Sequence, residues 1–211
     1  NLHALDQSVI LAYLIEKIHL KKSDTTFKLN LNTCTQEEWD ALFGPEGSIS
    51  PNSVWELKPA MSNDNFLKGL NYSINRKEFA ETLGRTPSNN YFGSSYLSDP
   101  ENGVSYNSTQ AHADAVAGQL ANTDGYGYSL TLAQQYFKAA ADEMIQAGQY
   151  AAGDTIVIEI CWMDTASIDE MGIYIEKYME DAFNSCGSDL KLDVVHYACA
   201  VWSDVYYAKM M

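Results

Sequence analysis

Four cysteines in 211 residues, with no two of them in a Cys-x-x-Cys pair, leave a zinc ribbon without ligands. Basic residues are scarce as well: 13 Lys and Arg stand against 28 Asp and Glu, a formal net charge of −15. Nucleic acid and anionic membrane surfaces repel such a chain, so neither is expected as a partner, and the plain meaning of the charge is solubility. No window reaches the roughly 18 uninterrupted apolar residues of a membrane span. Residues 5–20 come closest, but Asp6, Gln7, Glu16, Lys17 and His19 turn that run into an amphipathic helix. No secretion signal starts at Asn1, so the expectation is either a cytosolic protein or a piece of something longer. Catalytic signatures are missing too. There is no Gly-x-Ser-x-Gly elbow and no Walker-type loop, and Gly125-Tyr126-Gly127 is too short to cradle phosphate. His3, His19, His112 and His196 lack metal-ligand spacing. Asp164 and Asp169 can be imagined as a glycosidase acid and base, yet any chain this acidic offers such pairs. Neither catalysis nor a cofactor or metal is expected.

What is present suffices for one sizeable core, since 46% of the residues are hydrophobic and 12% aromatic. A single domain over 1–211 is the default, with an unplaced helix in 1–24 and an irregular tyrosine-rich segment at 85–128. Residues 27–33 alternate at period two, as a half-buried strand does. Thr35 and Glu38 form a capping box for a short helix carrying Trp39, Leu42 and Phe43. Between 85 and 128 the periodicity fades, apart from a helix at 109–120. Tyr91, Tyr96, Tyr106, Tyr126 and Tyr128 lie there among Gly, Ser, Asn, Asp and Pro, either lining a cleft or pinning the segment to its own core. A helix over 131–147 places Ala133, Tyr136, Phe137, Ala140 and Met144 on one face and stops at Gly148. The β-branched run at 155–162 reads as a strand, 167–185 as a helix stopped at Gly187, and 190–197 as a second strand. That order is a βαβ unit with parallel strands. Cys161 and Cys199 belong to these neighbouring strands, which leaves a disulfide open, although free and mostly buried thiols are the expected state of Cys34, Cys161, Cys186 and Cys199.

The most informative stretch is 66–84. Leu67, Leu70, Ile74, Phe79 and Leu83 fall near helical spacing, Asn63 or Asp64 suits the start, and Gly84 suits the close. Asn75 interrupts the run, so that Tyr72 and Ile74 belong to a first helix and Phe79 and Leu83 to a second. On these residues alone the stretch is two packed helices. Its order of types, Gly69-Leu70-Asn71-Tyr72-Ser73-Ile74-Asn75-Arg76, resembles the helix-turn-helix signature of the family 5 extracellular solute-binding proteins of peptide ABC transporters. The likeness extends over roughly 25–211, through a strand before the signature, a loop-rich stretch after it, a helix like that at 132–140, the βαβ unit and Trp202 opening a further helix.

The resemblance implies an α/β fold: a mixed sheet with a C-terminal parallel βαβ unit flanked by helices, forming one lobe of a periplasmic-binding-protein-like type II fold. It implies capture of a peptide or other small solute outside the membrane, with the other lobe and the permease subunits as partners. A cell-surface lipoprotein or periplasmic location would follow, its signal and anchor lying outside this chain. The family's first lobe, and the acidic residue that meets a peptide's amino group, have no counterpart here. In open α/β sheets ligands lie beyond the carboxyl ends of the strands. That geometry points to Trp162 and Asp164 after one strand, to Tyr197 through Trp202 after the other, and to Asn32 near the third. By resemblance Trp202 matches an aromatic lining a side-chain pocket, and Lys209 a basic position that meets a peptide carboxylate; a core role for Trp202 and a solvated one for Lys209 remain open. A rival reading is a protein interaction module that uses the tyrosine-rich segment as its contact surface.

Overall fold

A computed structural model describes residues 33, 35–43, 58–90, 92–163 and 166–199, with the backbone alone for 36, 39, 42, 43, 161–163, 166–170 and 196–199. The helix expected in 1–24, the strand at 27–33 and everything after Cys199 lie outside these residues. Contacts divide the chain into two compact units, one of Asn1–Lys28 with Asn90–Ala113 and one of Leu29–Asn89 with Asp114–Met211.

In the larger unit, α1 (Gln36–Phe43) starts at the expected capping box. The Glu38 carboxylate accepts from the Thr35 backbone N–H at 2.9 Å, and the Thr35 hydroxyl accepts from the Glu38 N–H at 3.2 Å. These bonds hold the Glu38 carboxyl below its ordinary value. After a 3-10 turn, Pro59–Ser62, come α2 (Asp64–Ser73) and α3 (Arg76–Thr82). Asn63 caps α2 by accepting from the Phe66 N–H at 2.9 Å, and Asn75 caps α3 by accepting from the Glu78 N–H at 3.2 Å. Ile74, expected inside the first helix, is instead its extended closing residue, with ψ near 111°. The Asn75 cap needs that extended backbone before it. Gly84 takes the left-handed conformation, φ +65°, that lets Arg85 reach back to the carbonyl of Ala80.

Helix α5 (Leu130–Gln146) packs against α2, and β3 (Thr155–Met163), α6 (Ala166–Asn184) and β4 (Lys191–Cys199) complete the unit. The remaining helix, α4 (Gln110–Leu120), precedes them in the chain. Strands β3 and β4 pair in parallel through nine rungs, from Thr155 opposite Lys191 to Met163 opposite Cys199. The protein is thus α/β, with a C-terminal parallel βαβ unit flanked by helices. The mixed sheet is not seen as one sheet: the described strands form this parallel pair and a separate antiparallel pair.

Alternation along the strands explains the layering. Ile156, Ile158 and Ile160 on β3 and Leu192 and Val194 on β4 are buried, whereas Thr155, Glu159, Lys191 and Asp193 are exposed. A parallel sheet is ordinarily covered on both faces; here the pattern supplies apolar side chains for one. Phe66 of α2, Phe137 of α5 and Phe183 of α6 are fully buried and meet as a triangle, with ring centroids 5.1–6.0 Å apart. Each such ring contributes about 1.5–3 kcal/mol by leaving water. On α5 the buried face is Ala133, Phe137, Ala140, Ala141 and Met144. Tyr136, expected among them, is half-buried and stacks on Tyr72, because a ring one step off the apolar stripe reaches the neighbouring helix rather than the sheet.

The outer edge of β4 is closed by α6. Asn184 donates its Nδ2 to the Leu192 carbonyl at 3.1 Å and accepts from the Leu192 N–H at 2.9 Å, while the Glu180 carboxylate accepts from the Val194 N–H at 2.8 Å. Backbone groups that a further strand would otherwise pair are thereby satisfied by side chains.

In the smaller unit the sequence shows no periodicity, yet β1 (Leu97–Asp99) and β2 (Val104–Ser105) form an antiparallel hairpin. Its turn is fastened by Asp99, whose carboxylate accepts from the Asn102 side chain at 2.6 Å and backbone N–H at 3.2 Å. Gly103 takes φ +67°, a backbone state that residues with a Cβ rarely adopt. Phe92 stacks on Tyr96 at 4.7 Å and meets Tyr106 edge-on at 5.4 Å, and Tyr106 in turn meets the buried His112. Here, then, Tyr106 pins the segment to its own small core, while Tyr96 remains exposed.

Candidate functional site

The carboxyl ends of a parallel pair are where one strand stops and the next helix begins, so several chain segments converge there. In this protein β3 runs to Met163 and α6 starts at Ala166. Register fixes what meets at that edge: Cys161 is opposite Tyr197, Trp162 opposite Ala198 and Met163 opposite Cys199. Trp162 and Tyr197 therefore occupy consecutive rungs on adjacent strands, with Cα atoms about 6 Å apart by strand spacing, and the two-residue alternation of a strand assigns them to opposite faces of the sheet. Asp164 follows directly after β3 and, like Asn32, Trp202 and Lys209, lies outside the described residues. Of the six candidate contact residues, two fall within the described strands, at the same edge but on opposite faces of the sheet.

The same register decides the cysteine question. Cys161 and Cys199 are offset by two rungs, roughly 8 Å between Cα atoms by strand geometry, which is beyond disulfide reach. Cys186 is a free, half-buried thiol whose pKa is raised by burial.

The signature helices have a different role, legible residue by residue. Gly69 lets α5 approach closely: a Cβ there would lie 2.4 Å from the Phe137 ring. Leu70 and Ser73 are buried, and the Ser73 hydroxyl donates to the Leu70 carbonyl. The Arg76 guanidinium gathers the Asn71 carbonyl at 3.0 Å, the Asn71 side-chain oxygen at 2.8 Å and the Gly127 carbonyl at 3.3 Å. Tyr72 stacks on Tyr136 with rings 7° from parallel, and its carbonyl accepts from the Ser129 N–H. Ser129 is the cap of α5. Asn71 through Arg76 thus bind two helices to each other and to the turn that starts α5, which is scaffold work.

Sequence reasoning missed two features of this scaffold. The Glu143 carboxylate, near the end of α5, accepts from Asn63 at 2.9 Å and from Asn65 at 2.8 Å. The only signal for it was the pair of asparagines flanking the start of α2. Around Glu78, Tyr128, Tyr174 and Tyr178 form a second group. Burial first, and the Glu78 charge next, push the Tyr178 hydroxyl up to about 12. Among the described residues no cluster of His, Cys, Asp and Glu is placed to hold a metal ion, and no helix is long and apolar enough to cross a membrane.

No protein-family model matches the chain, and no curated protein matches it. Among solved structures it is similar to the pheromone receptor PrgZ, whose structure describes its mode of peptide binding. The match has 18% sequence identity and a TM-score of 0.40, and it covers 72% of this chain and 26% of the other. The chain therefore spans about a quarter of that structure's length.

Proposed function

We propose that this chain is part of the solute-binding component of an ABC importer, a second lobe that helps capture peptides outside the membrane. The observation that carries the reading is the agreement between the signature and its geometry. Gly69 through Ser73, Asn75 and Arg76 each have a structural task that suits the residue type, in the order that the peptide-binding family shows. The βαβ unit then follows, with Trp162 and Tyr197 on consecutive rungs at its carboxyl edge. A flat aromatic wall, which the resemblance assigns to Trp202, suits a site that must accept varied peptide side chains. In this reading Trp162, Asp164, Tyr197, Trp202, Asn32 and Lys209 supply contacts from one side, the other lobe closes from the opposite side, and permease subunits receive the solute. The role is binding without catalysis, at the cell surface or in the periplasm.

Thermal unfolding of the intact parent protein with di- to octapeptides, sugars and metals tests it. A ligand at a hundred times its Kd adds about 2.7 kcal/mol of stability, so a peptide-dependent rise in Tm is expected. A clear shift with a sugar or a metal, and none with any peptide, would overturn the peptide assignment.

One observation favours the interaction-module reading. Tyr96, Leu97 and Val104, on or beside the hairpin strands, are each exposed large apolar residues. Such a module holds a macromolecule as the isolated chain and loses it on Tyr96→Ser with Leu97→Ser, whereas a lobe needs its partner lobe.

A further inference from the structure

The step Asn102-Gly103 is the only Asn-Gly pair in the sequence, and the hairpin turn displays it. Residues 100–104 are all exposed, so water reaches both residues. Beyond its two chain neighbours nothing lies within 4 Å of where a Gly103 Cβ would be, and glycine carries no side chain of its own to hinder its backbone nitrogen. We propose that Asn102 is a site of spontaneous deamidation, and that its conversion to a carboxylate unfastens the β1–β2 turn.

The chemistry needs no partner other than water. The Gly103 nitrogen gives up its proton to hydroxide and attacks the Asn102 side-chain carbonyl carbon. A C–N bond forms, the bond to Nδ2 breaks, and ammonia leaves after taking a proton from water. The resulting five-membered imide is opened by water at either of its two carbonyls, giving the aspartyl or the isoaspartyl chain. Nothing is oxidised or reduced.

Asp99 is what restrains the reaction and what makes it consequential. Its carboxylate holds the Asn102 amide at 2.6 Å and the Asn102 backbone N–H at 3.2 Å, keeping the side chain turned toward it rather than toward the Gly103 nitrogen. Once ammonia has left, the group facing Asp99 is a second carboxylate. A donor becomes a like charge at hydrogen-bond distance, and the turn keeps only the backbone half of its fastening, set against that repulsion. Strands this short hold few ladder bonds of their own, so the loss is felt across the hairpin. Asn107 gives an internal contrast, because its Nδ2 donates to the Phe92 carbonyl at 2.8 Å and its Oδ1 is buried.

Incubation of the intact protein in mildly alkaline buffer, followed by digestion and mass spectrometry, tests the proposal. The peptide holding position 102 should gain about one mass unit and split into two products before any other asparagine peptide changes. Asp99→Ala should react several-fold faster, and Asn102→Gln should stay silent at that position. The Asn102→Asp variant should exchange the backbone amide of Tyr106, which donates to the Tyr96 carbonyl across the hairpin, several-fold faster than the parent. No change at position 102 by the time a free peptide of the same local sequence has fully converted would overturn the reactive site. Unchanged exchange in Asn102→Asp would overturn its effect on the turn.

Discussion

At Gly69 the side chain is absent because Phe137 occupies the space. A methyl group there would press on the face of a ring that is itself fully buried between α2, α5 and α6. The ring is fixed by two other aromatics and has nowhere to retreat. Gly69→Ala should therefore lower stability by about 1–3 kcal/mol in denaturant unfolding, despite alanine's better helix propensity. Combining it with Phe137→Leu should cost less than the sum of the single changes, a coupling that a double-mutant cycle reads directly. Tyr178 offers a test of a different kind. Its folded pKa is pushed up to about 12, above the ordinary 10, so the unfolded chain ionises first as pH rises. The stabilisation is complete below pH 10 and disappears as pH climbs from about 10 towards 12. Alkaline melts should fall through that window, and less steeply in Tyr178→Phe. Single residues of this kind were only partly legible beforehand. That Asn63 and Asn75 cap helices follows from local chemistry, whereas the reach of the Glu78 charge to Tyr178 depends on residues a hundred positions apart meeting in space.

Elements were legible where periodicity is strong and turn chemistry agrees with it. The capping box of α1, the break at Asn75 and the span of α5 follow from patterns local to each element, and the parallel pairing of β3 with β4 follows from the strand-helix-strand order. The β1–β2 hairpin escaped notice because its strands are two and three residues long, too short for alternation to register. Its signal was the Asn102-Gly103 pair, a strong local hairpin marker. Closure of the β4 edge was also hidden, since it needs Asn184 and Glu180 to fall beside Leu192 and Val194 in space. Asn184→Ala strands both backbone groups of Leu192 and should cost about 1–3 kcal/mol in chemical unfolding. Asn184→Asp keeps an acceptor for the Leu192 N–H but offers no donor to its carbonyl, so an intermediate loss is expected. A sheet whose β4 side is closed at 192 and 194 can grow there only if those side chains let go.

Across the whole molecule the dominant physical fact is the net charge of −15, which makes the compact state repel itself. Raising ionic strength from about 0.01 M to 0.15 M shortens the screening length from about 30 Å to about 8 Å. The melting temperature should rise over that interval, and a fall would mean that attractive pairs dominate instead. For the candidate site the sequence offers a location, the carboxyl edge of the parallel pair, rather than a set of contacts. Register sets Trp162 and Tyr197 at one edge but on opposite faces, because side chains alternate along a strand, while Asn32, Asp164, Trp202 and Lys209 lie outside the described residues. The Phe66, Phe137 and Phe183 triangle bears on how the protein is made as well as on what holds it. Its three corners come from the beginning, middle and end of the larger unit's described core, so its decisive contacts are distant in sequence. On a chain emerging from the ribosome, α2 and α5 can meet early, but their shared apolar face stays open until α6 has been synthesised. The nascent chain should therefore be most vulnerable to aggregation, and most in need of a chaperone, in the interval between the appearance of Phe137 and that of Phe183.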